Sequence, residues 1–451
     1  MNLAKIAIIS ELDSPLITSC TAGVGGRQIA VAALAQHVSR LGYELDVFTH
    51  WNDKSLPQVM PWIEGVRIVH IDAGVPENAR VDDFANNLPV FTQGVIQFMK
   101  QGSVTYESVH AHHWISGATA LEIKKQLKIP FAITFHTLGK LREMHHDPGE
   151  RFPAQRVGIE ERLVHEADRL IALCPQDQAD LIEHYGADER KTTLIPNGID
   201  TEVFSPVDRT EARRILGFHP TEHVILQICR IVPNKGIENI IRAQAQLAHK
   251  YKNPTRLVIV GGEPISKIDP TKTPETDRLK KLARRLRIDH LVTFIGQQPQ
   301  EKLRYYYAAT NIFVTTPWYE PFGITPLEAM ACGTPVIGAN VGGIKYSVIP
   351  DRNGFLVPPE DPQTLAFFLD KMLASPAIRR RLGAGGLRHV RNNFTWEKVA
   401  KLTGTLYTTL ALKQTGRRTP RRPRITPIAV FESELQQKLL APKKYPAAPS
   451  R

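Results

Sequence analysis

The stretch Trp318–Pro335 reads W-Y-E-P-F-G-I-T-P-L-E-A-M-A-C-G-T-P. The run before it, Ile312 to Thr316, is continuously apolar or β-branched and predicts a buried strand. A strand, a glycine turn at Phe322-Gly323-Ile324 and then a helix make a ready seat for a phosphate-bearing ligand. Two carboxylates, Glu320 and Glu328, frame that turn, and carboxylates suit the hydroxyls of a sugar. Glu328 also has a purely local explanation. Thr325-Pro326-Leu327-Glu328 satisfies a capping box with Pro at the first helical position. Glu320, outside the helix, has no such explanation beyond that of a surface-loop glutamate.

Working outward, short apolar strands alternate with amphipathic helices. Strands are expected at Lys5–Ile9, Leu45–Thr49, Val66–His70, Ser108–Ala111, Phe131–Phe135 and Arg169–Leu173, with helices such as Gln28–Leu41, Ser116–Leu127 and Val157–Ala167 between them. A turn-rich break, L-I-P-N-G-I-D at Leu194–Asp200, separates this series from a second one. The second has strands at Val224–Cys229, Leu257–Val260, Leu291–Phe294, Ile312–Thr315 and Pro335–Gly338. Alternation of this kind implies parallel strands with helical crossovers. The fold class is therefore α/β, with two doubly wound domains facing a cleft, the default ligand site.

Bulk properties fit. A chain of 451 residues suits two domains, and 42% apolar content suffices for their cores. The formal charge of +12 is uneven: Lys413–Arg451 holds ten Lys/Arg against two Asp/Glu, a net +8, leaving +4 for the rest. That Arg/Pro-rich tail, T-G-R-R-T-P-R-R-P-R onward, cannot bury a core and is expected to be disordered. Cys20, Cys174, Cys229 and Cys332 lack metal-ligand spacing and read as free thiols of a reducing, cytoplasmic protein. The N-terminus does not resemble a signal peptide, and no apolar run approaches the ~20 residues of a membrane helix.

Other segments add candidate groups. Arg230 and Lys235, in I-C-R-I-V-P-N-K-G, follow the first strand of the second domain, where two cations suit a diphosphate leaving group. Gly23-Val24-Gly25-Gly26 follows the first strand but lacks both the dinucleotide fingerprint and the P-loop Lys. His136 ends a strand in T-F-H-T-L-G-K and is expected to face the cleft. His110, His112 and His113 end the preceding strand, with spacing unsuited to a helical metal pair, so no metal ligands are assigned.

The segment E-P-F-G-I-T-P-L-E-A-M-A-C-G-T-P-V-I, the later N-V-G-G, N-G-F-L-V-P-P at Asn353–Pro359 and the P-N-G-I-D linker resemble the retaining family-4 glycosyltransferases of the GT-B fold. In the first half, G-G-R-Q-I-A-V-A-A-L-A, L-D-V-F-T-H, V-H-A-H-H-W-I-S-G and T-F-H-T-L-G-K resemble the sucrose-phosphate synthase and mycothiol glycosyltransferase branch. The resemblance implies an acceptor-binding Rossmann-like domain over 1–200 and a nucleotide-sugar-binding one over 201–394. It further implies a helix over 395–414 returning to the first domain, with the basic tail at 415–451.

It also implies roles. Glu320 would contact the donor sugar, Glu328 the ribose, and Phe322, Gly323 and Ile324 would offer backbone N–H groups. Arg230 and Lys235 would clamp the diphosphate, Gly25 and Gly26 would sit against phosphate or acceptor, and His136 would lie across the cleft, near the donor sugar. Lys140 and Arg156 match positions that hold an acceptor phosphate. The chain departs from the branch at Arg27-Gln28, directly after the glycine pair, and at Arg80, where an acceptor lysine is expected.

The implied reaction is retaining transfer of glucose from UDP-glucose to fructose 6-phosphate, giving sucrose 6-phosphate. No cofactor is required; a divalent cation would at most assist product release. Alternatives are an inositol phosphate acceptor, a membrane-lipid acceptor kept open by the basic tail, and a catalytically silent sugar-nucleotide-binding regulator. No nucleic-acid partner is expected.

Overall fold

The computed structural model describes residues 4–12, 14–16, 26–75, 81–102, 105–145, 154–248, 255–262 and 274–414. Cys20, Gly25, Arg80 and the basic tail, all of which carry expectations above, lie outside them.

The first domain is built on eight strands: β1 (Lys5–Ile9), β2 (Glu44–His50), β3 (Val59–Ile63), β4 (Val66–Ile71), β5 (Ser108–His112), β6 (Phe131–Thr134), β7 (Arg169–Ala172) and β8 (Thr192–Leu194). Their order is β3-β4-β2-β1-β5-β6-β7-β8, parallel except for the antiparallel edge strand β3. Helices α1 (Gly26–Ser39), α2 (Val81–Gln101), α3 (Trp114–Leu127), α4 (Gly139–Met144), α5 (Arg156–Glu166) and α6 (Pro175–Tyr185) connect them. The chain winds from β1 to β2 in one direction and from β5 to β6 in the other. The crevice at this switch point lies beyond the carboxyl ends of β1 and β5.

The second domain begins with α7 (Arg209–Leu216) and β9 (His223–Ile228), followed by α8 (Ile237–Leu247), β10 (Thr255–Val260), α9 (Pro274–Arg285) and β11 (Val292–Gly296). It continues with α10 (Gln300–Ala309), β12 (Ile312–Thr315), α11 (Ile324–Ala331), β13 (Val336–Ala339), α12 (Ile344–Ser347) and β14 (Gly354–Val357). Two helices, α13 (Pro362–Ala374) and α14 (Pro376–Asn393), close it. Its all-parallel sheet runs β11-β10-β9-β12-β13-β14, so its switch point falls between β9 and β12.

Apolar clusters cover both faces of both sheets. Burial on both faces explains why the strands read as unbroken apolar runs rather than alternating ones. On one face of the first sheet, α1 packs with α15 (Trp396–Gln414), the helix that returns from the second domain. The return is tied in place: Ile199 N–H donates to the Phe394 carbonyl at 2.7 Å, and the Tyr43 hydroxyl donates to the Gly404 carbonyl at 2.8 Å.

Strands β3, β8 and β14 were not expected from the sequence. β3 carries Pro61 and is half-exposed on an edge, where neither alternation nor a continuous run is enforced. β8 has three residues, too few to show a period. β14 lies within N-G-F-L-V-P-P and has only four residues.

Candidate active site

The switch point of the second domain places the loops after β9 and β12 side by side. Thr316 Oγ1 donates to the Gly236 carbonyl at 3.0 Å, and Trp318 N–H to the Asn234 carbonyl at 3.0 Å. The Glu320 carbonyl accepts from Gly343 N–H at 3.0 Å. The neighbouring Gly342, at φ 46°, runs so close that a Cβ there would sit 1.8 Å from the Glu320 carbonyl oxygen. The backbone at Glu320 is thus gripped on two sides, and a side chain at 342 would push it out of place.

On that support the Lys235 ammonium meets Glu320 Oε2 at 2.7 Å. Both side chains are largely buried, at 20% and 23% exposure, so the pair is shielded from bulk screening but reachable from the cleft. Arg230 stands exposed just beyond the end of β9. Phe322 is buried in the core of the second domain, leaving only its backbone for a ligand. Gly323 opens α11 at φ 87° without a side-chain cap. The uncapped N–H groups of this first turn suit an anion.

Glu328 requires a correction. The helix begins at Ile324 with Gly323 as its cap, so Pro326 is the third helical residue and Thr325-Glu328 forms no capping box. Glu328 is buried instead, and its Oε2 accepts from the Tyr307 hydroxyl at 2.7 Å. Burial pushes its carboxyl up to about 7 against the opposing effect of that hydrogen bond. No described residue hydrogen-bonds to Oε1.

Across the cleft, Gly26 at the start of α1 faces the start of α11: a Cβ there would lie 3.3 Å from Ile324 Cδ1. Arg27 follows it and acts electrostatically on His112, His113 and His136. Gln28 turns away, its buried amide donating to the Ser14 carbonyl at 2.6 Å. His136, half-buried after β6, adopts φ 61°, and its Nε2 lies 2.9 Å from His112 Nδ1. Burial depresses the pKa of His112, His113 and His136 well below the usual histidine value, with the Arg27 charge adding to the effect, so all three are neutral near pH 7.

His110 and His113 have other partners. His110 Nδ1 is 2.8 Å from the Tyr407 hydroxyl and Nε2 2.9 Å from Thr134 Oγ1. His113 Nδ1 lies 3.8 Å from the buried carboxylate of Glu11, which accepts from Ser116. Among the described residues no group of three or more His, Cys, Asp or Glu is arranged to hold a metal.

Arg156 and Lys140 part company. Arg156, at the start of α5, is buried, with Nε donating to Glu160 Oε1 at 2.7 Å and Nη2 to the carbonyl and hydroxyl of Thr137 at 2.9 and 3.1 Å. Glu160 is fully committed, accepting also from Gly139 N–H at 2.7 Å and the Tyr185 hydroxyl at 2.5 Å. Lys140 points to the other side of α4, where its ammonium bonds Glu161 at 2.6 Å and the His184 carbonyl at 2.7 Å. It is not gathered with the cleft cations.

Arg142, two residues along α4, takes its place there. Burial lowers its pKa, and the charges of Arg156 and of Arg230 from the second domain lower it further. Arg142 thus feels one arginine from each domain, with Glu160 acting in the opposite sense. Close by, Tyr319 stacks on His145 across the cleft, with ring centroids 5.2 Å apart, and the Cys174 thiol donates to the Pro321 carbonyl at 3.3 Å. Sequence reading missed Arg142 because nothing in L-R-E-M distinguishes it from a solvated helix cation.

Residues 24–203 match the Glycosyltransferase Family 4 model, and residues 208–389 match Glycosyl transferases group 1. The D-inositol 3-phosphate glycosyltransferase of Streptomyces bingchenggensis is 32% identical over 409 residues, covering 89% of each chain. That of Frankia alni is 33% identical over 395 residues, covering 86% of this chain and 95% of the relative. Among solved structures, sucrose-phosphate synthase from Thermosynechococcus elongatus superposes with a TM-score of 0.80 at 32% identity, over 90% of this chain and 99% of that one.

Proposed function

The chain belongs to the group 1, family 4 glycosyltransferases, and we propose that it transfers a hexosyl group from a nucleotide sugar to a hydroxyl of a phosphorylated polyol, an inositol phosphate first among them. The observation that supports this reading is Arg142, on which the charges of Arg156 in its own domain and of Arg230 in the other both act. Cations gathered from both domains draw an anion into the cleft between them. Two phosphate-bearing substrates, one from each domain, supply that charge.

The reaction follows from the placement. The donor diphosphate lies against Arg230, Lys235 and the uncapped start of α11, and Glu328 Oε1 takes the ribose. Lys235 exchanges Glu320 for the diphosphate, and Glu320 is released to accept from sugar hydroxyls. Arg142 and Arg156 hold the acceptor phosphate, placing its hydroxyl beside the anomeric carbon. As the glycosidic bond breaks, negative charge grows on the departing diphosphate. Cations fixed in advance stabilise that charge most where it is greatest, in the transition state. Retention of configuration and UDP-glucose as the first donor are part of the same reading.

Fructose 6-phosphate is the second acceptor, favoured by the sucrose-phosphate synthase superposition at the same 32% identity. The test is a matrix of UDP-, ADP- and GDP-glucose against inositol phosphate, fructose 6-phosphate and their unphosphorylated counterparts. Transfer to a phosphorylated acceptor is expected to be far faster than to its unphosphorylated counterpart. Transfer only to unphosphorylated acceptors, or none with any pair, overturns the reading.

A further inference from the structure

His136 sits in a chain of rings that leads away from the cleft. His110 is fixed at both nitrogens, by Tyr407 of α15 and by Thr134. The His112 ring lies against His110, centroids 4.1 Å apart, and reaches His136 through the 2.9 Å Nδ1···Nε2 contact. Tyr407, His110 and His112 are all buried, whereas His136 is open to the cleft. The left-handed backbone at His136, φ 61°, is costly for a non-glycine residue and holds the ring at the end of this chain.

The contact between His112 and His136 needs one proton, and the two rings can supply it in only two ways. A neutral imidazole has one N–H and one bare nitrogen. His112 Nε2 is buried and meets no hydrogen-bond partner. Were the His112 proton on Nε2, a buried N–H would be stranded while His136 donated. With the proton on Nδ1, His112 donates to His136 Nε2 and leaves only a bare lone pair unmatched, the less costly outcome. His136 then carries its own proton on Nδ1, which no described residue engages.

We propose that His112 is a positioning residue: by donating Nδ1–H to Nε2 of His136 it fixes the His136 proton on Nδ1, so that the cleft histidine presents a neutral N–H donor to a donor-sugar hydroxyl rather than acting as a base. The idea rests on the proposed place of His136 beside the donor sugar. It assigns to His112 the task of selecting a tautomer, with the His110 ring, itself held by Tyr407 and Thr134, packing the His112 ring in place.

Full-length protein labelled with 15N-histidine provides the test, through long-range proton–nitrogen correlation spectra at pH 7 with His136→Asn used for assignment. The expected pattern is a neutral Nδ1–H tautomer for His136. In His112→Ala that pattern should give way to a tautomer mixture, with kcat falling roughly 10-fold and the acceptor KM unchanged, as for loss of one hydrogen bond. His112→Asn, whose side-chain amide restores the donor, should recover both the tautomer and most of kcat. An Nε2–H or doubly protonated His136 overturns the proposal. So does a fall in kcat in His112→Ala with an unaltered His136 spectrum, because that is the mark of a merely structural role. The spectrum reads the tautomer whether or not transfer occurs, so failure of the proposed activity is seen separately.

Discussion

Arg142→Met is the most discriminating perturbation of the acceptor model. Methionine keeps the length and apolar body of the side chain and removes only the guanidinium. In the structure Arg142 is half-buried beside Arg156 and Arg230, which lower its pKa. An entering phosphate therefore gains a charge-assisted contact and relieves that repulsion. A hydrogen bond to a charged group contributes about 1.5–3 kcal/mol, which converts to a roughly 10- to 150-fold fall in kcat/KM for the phosphorylated acceptor. The assay measures initial rates at saturating nucleotide sugar, with the phosphorylated acceptor and its unphosphorylated analogue, in both wild type and variant. These four rates form a cycle in which general damage cancels. The loss should fall on the phosphorylated acceptor and leave the analogue within about twofold. Equal losses on both would refute the reasoning, because they would mean that Arg142 supports the site without touching phosphate. The matching Lys140→Met should have little effect on either acceptor, since its ammonium is held by Glu161 and the His184 carbonyl on another side of α4.

Three further outcomes are expected. Glu320→Gln should lower kcat roughly 100-fold while calorimetry shows donor affinity changed only a few-fold, and unchanged turnover would remove Glu320 from the donor site. Gly342→Ala should also cost roughly 100-fold in kcat with circular dichroism unchanged, because its Cβ would stand 1.8 Å from the Glu320 carbonyl oxygen and must move it; wild-type kinetics would show that the placement of Glu320 is not critical. Burial raises the Glu328 carboxyl from 4.5 to about 7, so the folded state retains a proton that the unfolded chain releases. This stabilisation is complete below about pH 4.5 and is lost as pH rises through about 7, a few kcal/mol at most. Urea unfolding at pH 5 and pH 8 should therefore show a smaller loss of stability in Glu328→Gln than in wild type, and parallel losses would contradict the buried, uncompensated carboxyl.

Much of this protein was legible from its sequence, for a physical reason. Strands buried on both faces are apolar along most of their length, as in L-V-I-V of β10 or I-A-I-I of β1, so the parallel sheets announce themselves. Their alternation with helices marks the segments at the carboxyl ends of the strands, which carry His136, Arg230, Lys235 and Glu320, with Arg27 in the first turn of α1. What stayed hidden depends on direction rather than position. Lys140 and Arg142 differ by two helical residues, about 200° of rotation, so one side of α4 faces Glu161 and another faces the cleft. The family resemblance selects Lys140 with Arg156, whereas the packing of α4 sets the Lys140 ammonium against Glu161 and brings Arg142 within electrostatic reach of Arg230. Glu328 failed the opposite way. Its T-x-x-E pattern is real, but Gly323 at φ 87° starts the helix before Thr325 can cap it, and the carboxylate turns inward to Tyr307. The glycine that permits close approach of a ligand thus also displaces the helix start. One backbone choice therefore opens the N-terminus of α11 to an anion and frees Glu328 from capping.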